Sequence, residues 1–118
     1  MARVTIKTAG VGKGKAPGRN RAFADPPRPS ANDNPSGGSA QWLNQTGGVA
    51  TLWFPNADQV FSPPPGGFTF PTEIPPGAAG LTFAIKAGAT PGNYPYIVYC
   101  VATGSLAEGE SPPSIDVP

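Results

Sequence analysis

Apolar and polar side chains alternate in short stretches from residue 40 onward, and turn-forming residues separate these stretches at regular spacing. Leu81, Phe83 and Ile85 alternate with smaller or polar residues, which is the period of a strand with one buried face. The run from Tyr94 to Val101 is apolar at odd and even positions alike. That is typical of a central strand whose second face is covered by a loop, an arm or another subunit. No segment keeps a helical period, so the pattern predicts an all-β fold.

The predicted strands and turns make residues 40–118 a single β-sandwich domain. Proline cannot donate a hydrogen bond to a neighbouring strand, so the proline run at 63–65 predicts an exposed loop. We expect strands at 41–44, 49–54, 68–70, 72–74, 81–86, 94–101 and 114–117, and a turn at 106–108. Many short strands at regular spacing indicate a Greek-key β-sandwich, with either cupredoxin-like or immunoglobulin-like connectivity.

The first 39 residues differ in composition from the rest and predict an extended arm. Residues 9–40 contain six glycines and five prolines and have no strand pattern. Val4-Thr5-Ile6 predicts only a short strand at 3–7. A structureless stretch of about thirty residues is too long for a loop inside a compact domain. We therefore expect residues 1–39 to form an arm that is either mobile or ordered on a partner.

Charge is distributed unevenly between the arm and the sandwich domain. Residues 1–28 hold seven of the eight basic residues and one acidic residue, whereas residues 29–118 hold one basic and six acidic residues. A basic, glycine-rich arm is attracted to an acidic protein face, to nucleic acid, or to the acidic body of its own or a neighbouring chain. The alternative is a solvated tail. The candidate partner-binding cations of the arm are Arg3, Lys7, Lys13, Lys15, Arg19 and Arg21.

Nucleic acid is the weaker of these partner hypotheses. Binding to single strands combines basic residues with interleaved aromatic side chains on which bases stack. The arm contains one aromatic residue, Phe23. We therefore expect a protein partner, in a homo-oligomer or a larger assembly.

The sequence also bears on the compartment of the protein. No apolar run approaches the roughly 20 residues of a membrane span, and no hydrophobic stretch follows the first basic residues as it does in a signal peptide. We therefore expect no membrane association and a protein that is cytoplasmic as synthesised, either free or as part of a virion or another assembly. The single cysteine, Cys100, lies in an apolar run, which predicts a small buried side chain.

Several short motifs occur in the order and spacing of a known family. They are Trp42-x-Asn44 with a Thr46-Gly47 turn, Phe54-Pro55, Pro76-Gly77, Gly92-x-Tyr94-Pro95-Tyr96 before a long strand, and Ser111-Pro112-Pro113 before a closing Ile-x-Val. With these motifs, residues 40–117 resemble the cupredoxin family, and more closely its histidine-poor bacterial relatives. The resemblance implies a β-sandwich and does not extend to the arm.

The copper ligands of that family are missing here. The resemblance implies a histidine after the Trp-x-Asn strand, and a cysteine, a second histidine and usually a methionine along and after the Tyr-x-Tyr strand. Gly48 and Val49 stand near the first position, and Val98 stands where the cysteine is expected, two residues before Cys100. The chain contains no histidine, and a type 1 copper site needs two imidazoles and a thiolate. We therefore predict no copper, no other metal and no cofactor.

The sequence does not predict catalysis either. General acid-base chemistry recruits histidine or a pair of carboxylates at a defined separation. Glu108 and Glu110 share a glycine-containing loop, where such a separation is difficult to hold. Ser105 and Ser111 have no activating base nearby in the sequence. We therefore predict a protein that is not an enzyme.

Two functional hypotheses remain. The first is a structural or assembly module of coat, filament or head-decoration type, whose arm contacts neighbouring subunits. The second is a monomeric ligand- or protein-binding domain that has lost its copper site, with a contact surface at the proline loop of residues 63–67 or at the corner Tyr94-Pro95-Tyr96. Core packing is the alternative role for each of the aromatic side chains proposed as contact anchors. These candidate anchors are Trp53, Phe68, Phe70 and Tyr99.

Overall fold

The computed structural model of the chain describes residues 2–9, 21–27, 38–108 and 112–117. Within these residues the protein is mostly β, with one short helix, α1 (Ala57–Val60). This confirms the predicted all-β class. The strands are β1 (Ala2–Ala9), β2 (Arg21–Asp25), β3 (Ser39–Asn44), β4 (Ala50–Trp53), β5 (Thr72–Glu73), β6 (Leu81–Ala84), β7 (Gly92–Pro95), β8 (Ile97–Cys100), β9 (Ser105–Leu106) and β10 (Ser114–Val117).

Two four-stranded sheets enclose a common core in a sandwich-like arrangement. The first sheet has the order β2-β1-β3-β6, and the second sheet has the order β5-β4-β8-β9. Strand β1 is antiparallel to β2 but parallel to β3. All strand pairs of the second sheet are antiparallel. Strands β7 and β10 form a separate antiparallel pair.

Trp42 on β3 lies at the centre of the core. Its ring meets those of Phe54, Phe61 and Tyr96 edge-on, with centroid distances of 6.0, 6.1 and 5.3 Å. All four side chains are at most 1% exposed. Edge-on pairs are favoured because the positive ring edge meets the negative face of its neighbour. The core therefore joins residues that are far apart in sequence, and its packing holds the two sheets together.

Strand β1 is longer than the sequence predicts and lies inside the first sheet. The sequence pattern predicts a strand at 3–7, whereas β1 spans Ala2–Ala9 and is paired on both sides. Ala2, Val4 and Ile6 are at most 1% exposed. Alternate positions along the strand therefore face the core, as the period of two requires.

Strand β2 occupies residues that the sequence pattern assigns to the arm. Its buried positions, Ala22 and Ala24, carry only methyl groups. Such small side chains give a weak hydrophobic pattern, which is why the strand is not visible in the sequence. Pairing with β1 and with the backbone of Glu108 places it in the first sheet. Residues 10–20 and 28–37, with Lys13, Lys15 and Arg19 among them, lie outside the described residues.

Three local predictions are wrong. Residues 68–70 form no strand, because the chain around Pro71 pairs only at Thr72–Glu73. Residues 106–108 are extended rather than a turn, since the amides of Ala107 and Glu108 donate to the carbonyls of Val98 and Ala22. Residues 94–101 are not one strand, because the chain changes sheets at Tyr96: β7 pairs with β10, whereas β8 pairs with β4 and β9.

Candidate functional site

The outward face of the second sheet carries the exposed apolar side chains. All five large apolar side chains that are exposed in the described part of the chain lie on this face or directly beside it. They are Val49, Trp53, Tyr99, Val101 and Leu106, with 43 to 58% of their surface exposed. Ile97 and Thr51, on the same face, are half-buried. We refer to these seven residues as the second-sheet face.

The antiparallel register of β4 and β8 brings these side chains together. Thr51 is paired with Tyr99, and Trp53 with Ile97. One step further along, the amide of Val101 donates to the carbonyl of Val49 at 2.9 Å. Residues that are directly opposite in a ladder share a face of the sheet. Three cross-strand pairs therefore form one continuous apolar surface.

The two edge strands extend this surface sideways. Leu106 on β9 is paired with Tyr99, and Glu73 on β5 is paired with Thr51. A row of four residues therefore crosses the sheet, running from Glu73 through Thr51 and Tyr99 to Leu106. Glu73 is the charged end of this row, and the other three side chains are neutral.

The exposed face arises because residues 97–101 are apolar at every position. Val98 and Cys100 point into the core and are 0% exposed. The odd-numbered side chains of the same strand point outward, and an antiparallel sheet with one solvated face normally carries polar residues there. The sequence pattern indicates a cover on both faces of this strand, and within the described residues the outward side chains of Tyr99 and Val101 remain exposed.

The outward face of the first sheet is polar by contrast. Nε of Arg3 donates to Oε1 of Gln41 at 2.9 Å, and Nε2 of Gln41 donates to the carbonyl of Ala79 at 2.9 Å. Nζ of Lys7 lies 2.9 Å from Oδ2 of Asp25 in a half-exposed ion pair. The two outward faces of the sandwich therefore differ sharply in their chemistry.

Two candidate cations of the N-terminal segment pair with acidic groups of the same chain. Besides Lys7, Arg21 forms an ion pair with Glu108, in which Nε donates to Oε2 at 2.7 Å. The hydrogen bond from Arg21 holds the pKa of the Glu108 carboxyl below its usual range, and the carboxylate raises the pKa of Arg21 in return. In the described residues, these cations meet the protein's own acidic groups, one of the alternatives that the charge pattern indicates.

The other two aromatic candidates, Phe68 and Phe70, lie elsewhere. Their rings stack on each other at 5.9 Å and contact Phe83 at 6.0 and 5.8 Å. Both are half-buried and pack against the core. The structure therefore brings Trp53 and Tyr99 together on one face and places Phe68 and Phe70 in a separate cluster.

Of the two contact surfaces named for a monomeric binding domain, one is buried. Tyr94 is 7% exposed and Tyr96 is 1% exposed, so that corner offers little surface to a ligand. The proline loop at 63–67 is mostly exposed.

The Trp42-x-Asn44 motif builds a turn at one end of the sandwich. Oδ1 of Asn44 accepts hydrogen bonds from the amide and hydroxyl of Thr46 at 3.0 and 2.7 Å, and Nδ2 donates to the carbonyl of Gly48 at 2.8 Å. A shallow depression of about 380 Å³ lies beside this turn. It is lined by Asn44, Gly47, Gly48, Val49, Glu73 and Pro76.

Reactive groups in the core are shielded from solvent. Burial raises the pKa of the Cys100 thiol, so little nucleophilic thiolate forms near neutral pH. Burial also raises the pKa of the Tyr96 phenol. The indole of Trp42 lies beside the buried Tyr96 hydroxyl, and their interaction offsets part of this rise. Among the described residues, no three His, Cys, Asp or Glu side chains come together as a metal site would require.

No family model matches this chain, and no curated protein or solved structure is found to be similar to it. The described residues contain no helix of the length and apolar character that a membrane crossing requires.

Sequence reasoning missed the three exposed aliphatic residues of the second-sheet face. Trp53 and Tyr99 are predicted contact anchors because they are aromatic, whereas Val49, Val101 and Leu106 give no such signal. Their place on the face depends on the pairing of β4, β8 and β9. The apolar odd positions of residues 97–101 are the one sequence signal that points to it.

Proposed function

We propose that this protein is a non-enzymatic assembly module, a β-sandwich subunit of coat, filament or head-decoration type, and that the second-sheet face is its main contact surface. The observation that supports this proposal is the gathering of all five exposed large apolar side chains of the described residues on one side of the sandwich. A continuous apolar patch on a protein surface marks a contact site more often than isolated apolar residues do.

The composition of the face favours a protein partner. Interface cores are enriched in aromatic side chains and depleted of charged ones. Trp53 and Tyr99 still expose 50% and 46% of their surface. Full burial of a large apolar side chain contributes about 1.5–3 kcal/mol, and about half of that gain remains for each aromatic, so covering both adds a useful part of the binding free energy of a modest interface.

The N-terminal arm has a smaller part in this proposal. Lys13, Lys15 and Arg19 are proposed to contact acidic surfaces of neighbouring subunits, on the basis of charge alone. Arg3, Lys7 and Arg21 already interact with side chains of their own chain. They therefore support the fold more directly than they support a contact between subunits.

For the fold type, we favour cupredoxin-like over immunoglobulin-like connectivity. Immunoglobulin domains pack two antiparallel sheets. The parallel pairing of β1 with β3 does not fit that pattern. The turn built by Asn44 and Thr46 lies in the motif that carries the cupredoxin resemblance.

A second candidate function is a monomeric domain that binds a small ligand. The depression beside Asn44 favours it, because Gly48 and Val49 stand near the position of a copper-binding histidine in the family that the chain resembles. A scaffold that has lost its metal can retain a cleft at the same place. Function depends on such sites rather than on the sandwich itself.

The size of the native complex tests the assembly proposal. We expect the protein, isolated gently from the cells that produce it, to elute in a complex much larger than its 12.0 kDa mass. Trp53→Ser combined with Tyr99→Ser should shift the protein to the monomer position, because the serines remove most of the aromatic area of the face. Light scattering coupled to size-exclusion chromatography gives the masses.

Phe23→Ser is the matched control for this experiment. Phe23 is a half-buried aromatic residue whose neighbours on β2, Ala22 and Ala24, face the core. The proposal requires the complex to survive this change. Wild-type protein that remains a monomer in the extract would argue for the ligand-binding alternative.

A further inference from the structure

The second-sheet face is neutral and has side chains of unequal size in register. Thr51 lies beside Tyr99, and Trp53 lies beside Ile97. A surface of this kind can meet a copy of itself without bringing like charges together, provided that large side chains of one copy fall on small ones of the other. Glu73, at one end of the row, is the acidic group that such a contact must accommodate.

The segments of the chain outside the described residues offer little apolar area to this face. Residues 1, 10–20, 28–37, 109–111 and 118 contain two large apolar side chains, Met1 and Val11, and no aromatic residue. Glycine, proline, serine and charged residues make up most of the remainder. These segments therefore lack the large apolar side chains that a cover of this face would need, which favours a cover from another chain.

We propose that a second copy of this protein covers the second-sheet face, packed face to face about a two-fold axis that runs along the strands between β4 and β8. This inference rests on the proposed function and names the partner of its contact surface. In this arrangement β4 of each copy lies over β8 of the other. Thr51 then faces Tyr99 of the second copy, Trp53 faces Ile97, and Val49 faces Val101.

The charge of Glu73 selects this axis over the alternative. When the strands of two stacked sheets are aligned, a two-fold axis in the plane between them runs either along or across the strands. An axis across the strands at the level of Thr51 would place each strand over itself, with Glu73 over Glu73 and Tyr99 over Tyr99. Like charges that face each other are unfavourable. The axis along the strands places Glu73 over Leu106 of the second copy and keeps the two carboxylates at opposite edges.

The area of the face predicts a weak dimer. Four strands about 4.8 Å apart and five residues about 3.4 Å apart give a footprint of roughly 19 by 17 Å. A standard stable interface buries about 800 Å² on each partner. The face alone is smaller, so we expect a reversible dimer with a dissociation constant between about 1 μM and 1 mM.

Charge complementation between two variants tests the axis. Thr51→Glu alone and Tyr99→Lys alone should each raise the dissociation constant at least about tenfold, because each buries an unpaired charge against an uncharged neighbour. An equal mixture of the two variants should return to within about threefold of the wild type, since the new carboxylate faces the new ammonium group of the other chain. Sedimentation equilibrium of the purified full chain measures all four constants.

Val49→Glu and Val101→Lys form a second complementary pair at more exposed positions. Val49 is 43% exposed and Val101 is 58% exposed, so both variants should fold even if a change at Thr51 does not. Mixing them should restore dimerisation in the same way. Thermal unfolding of each variant confirms that it is folded before its dissociation constant is compared.

Two outcomes would overturn the inference. Variants that weaken the dimer but are not rescued by mixing would exclude the axis along the strands. Purified wild-type protein that stays monomeric up to about 1 mM would exclude the second copy as partner. In the latter case the proposed function still stands if the complex from producing cells depends on Trp53 and Tyr99, because another protein then covers the face. The proposed function fails as well if the protein isolated from producing cells is also monomeric.

Discussion

At the scale of single residues, Gly80 is a position at which only glycine fits. Its φ angle is +59°, a left-handed conformation that residues with a Cβ rarely adopt. A Cβ at this position would overlap the carbonyl oxygen of Trp42 and lie 2.7 Å from Cδ2 of Leu43. The loop before β6 therefore passes so close to β3 that a hydrogen atom is the largest side chain that fits.

Gly80→Ala should destabilise the protein strongly. The new methyl group meets backbone, which cannot move aside without disturbing β3, so we expect a loss of more than about 2 kcal/mol in the free energy of unfolding. Urea denaturation followed by tryptophan fluorescence measures it.

Gly88→Ala is the control for this prediction. Gly88 also has a positive φ angle, +75°, but no atom lies within 4 Å of its hypothetical Cβ. The substitution there adds only the strain of a left-handed backbone at alanine, which lowers the free energy of unfolding by about 1 kcal/mol. Equal losses for the two variants would show that the close approach of Gly80 to β3 contributes nothing.

At the scale of elements, the position of β1 changes the domain organisation, because the sequence assigns this strand to an arm and the structure places it in the first sheet. It lies between β2 and β3, and its inward residues join the core around Trp42. The pattern Val4-Thr5-Ile6 indicates a strand but leaves its partner open. Pairing with β3 makes the N-terminal residues part of the first sheet, so β1 contributes to the stability of the sandwich.

Ile6→Ala tests this contribution. Ile6 is 0% exposed, and truncating a buried isoleucine to alanine costs about 2–5 kcal/mol. We expect a loss of that size in the free energy of unfolding, measured by urea denaturation. If β1 were a detachable arm, the loss would instead match that of Thr5→Ala, which removes a half-buried side chain from the opposite face of the same strand.

At the scale of the whole molecule, one side of the sandwich is closed by contacts between its two sheets. The amide of Ala24 on β2 donates to the carbonyl of Glu108, and the amide of Glu108 donates to the carbonyl of Ala22, both at 2.8 Å. The ion pair of Arg21 and Glu108 lies over this junction. The first and second sheets are therefore joined by backbone and by charge at the same place.

The Arg21–Glu108 pair predicts how stability depends on pH. The pKa of Glu108 is lower in the folded protein than in the unfolded chain, so the folded state favours the carboxylate. This contribution is complete above the unfolded pKa of about 4.3 and is lost as pH falls through the lower folded value. Glu108→Gln should therefore flatten the decline of the unfolding temperature between about pH 5 and pH 3.

Added salt and a second variant check the origin of this effect. Both side chains are exposed, so their interaction should weaken as ionic strength rises. Glu73→Gln removes a carboxylate from β5, at the opposite edge of the second sheet, and should leave the acid decline in place. A decline that is unchanged in Glu108→Gln would contradict the prediction.

The two outward faces also differ at this scale. The first sheet presents ion pairs and hydrogen bonds to solvent, and the second presents valine, leucine and aromatic side chains. On this asymmetry we base the proposal that contacts form on one side of the molecule. It underlies both the assembly proposal and the two-fold dimer.

The sequence by itself determined the all-β class and most strand positions, because a period of two depends only on neighbouring residues. The closing strand shows this, since Ile115 and Val117 are buried as their alternation predicts. The absence of histidine is likewise a property of the sequence, and it argues against copper without any geometry.

Only the tertiary structure decided which strands are neighbours, because pairing brings together residues that are far apart along the chain. The alanines of β2 carry too little apolar surface for the sequence to reveal their strand. The strand is defined instead by its backbone pairing with β1. The second-sheet face arises in the same way. Val49, Val101 and Leu106 become one surface with Trp53 and Tyr99 only when β4, β8 and β9 pair, since side chains from distant segments must align in register to share a face.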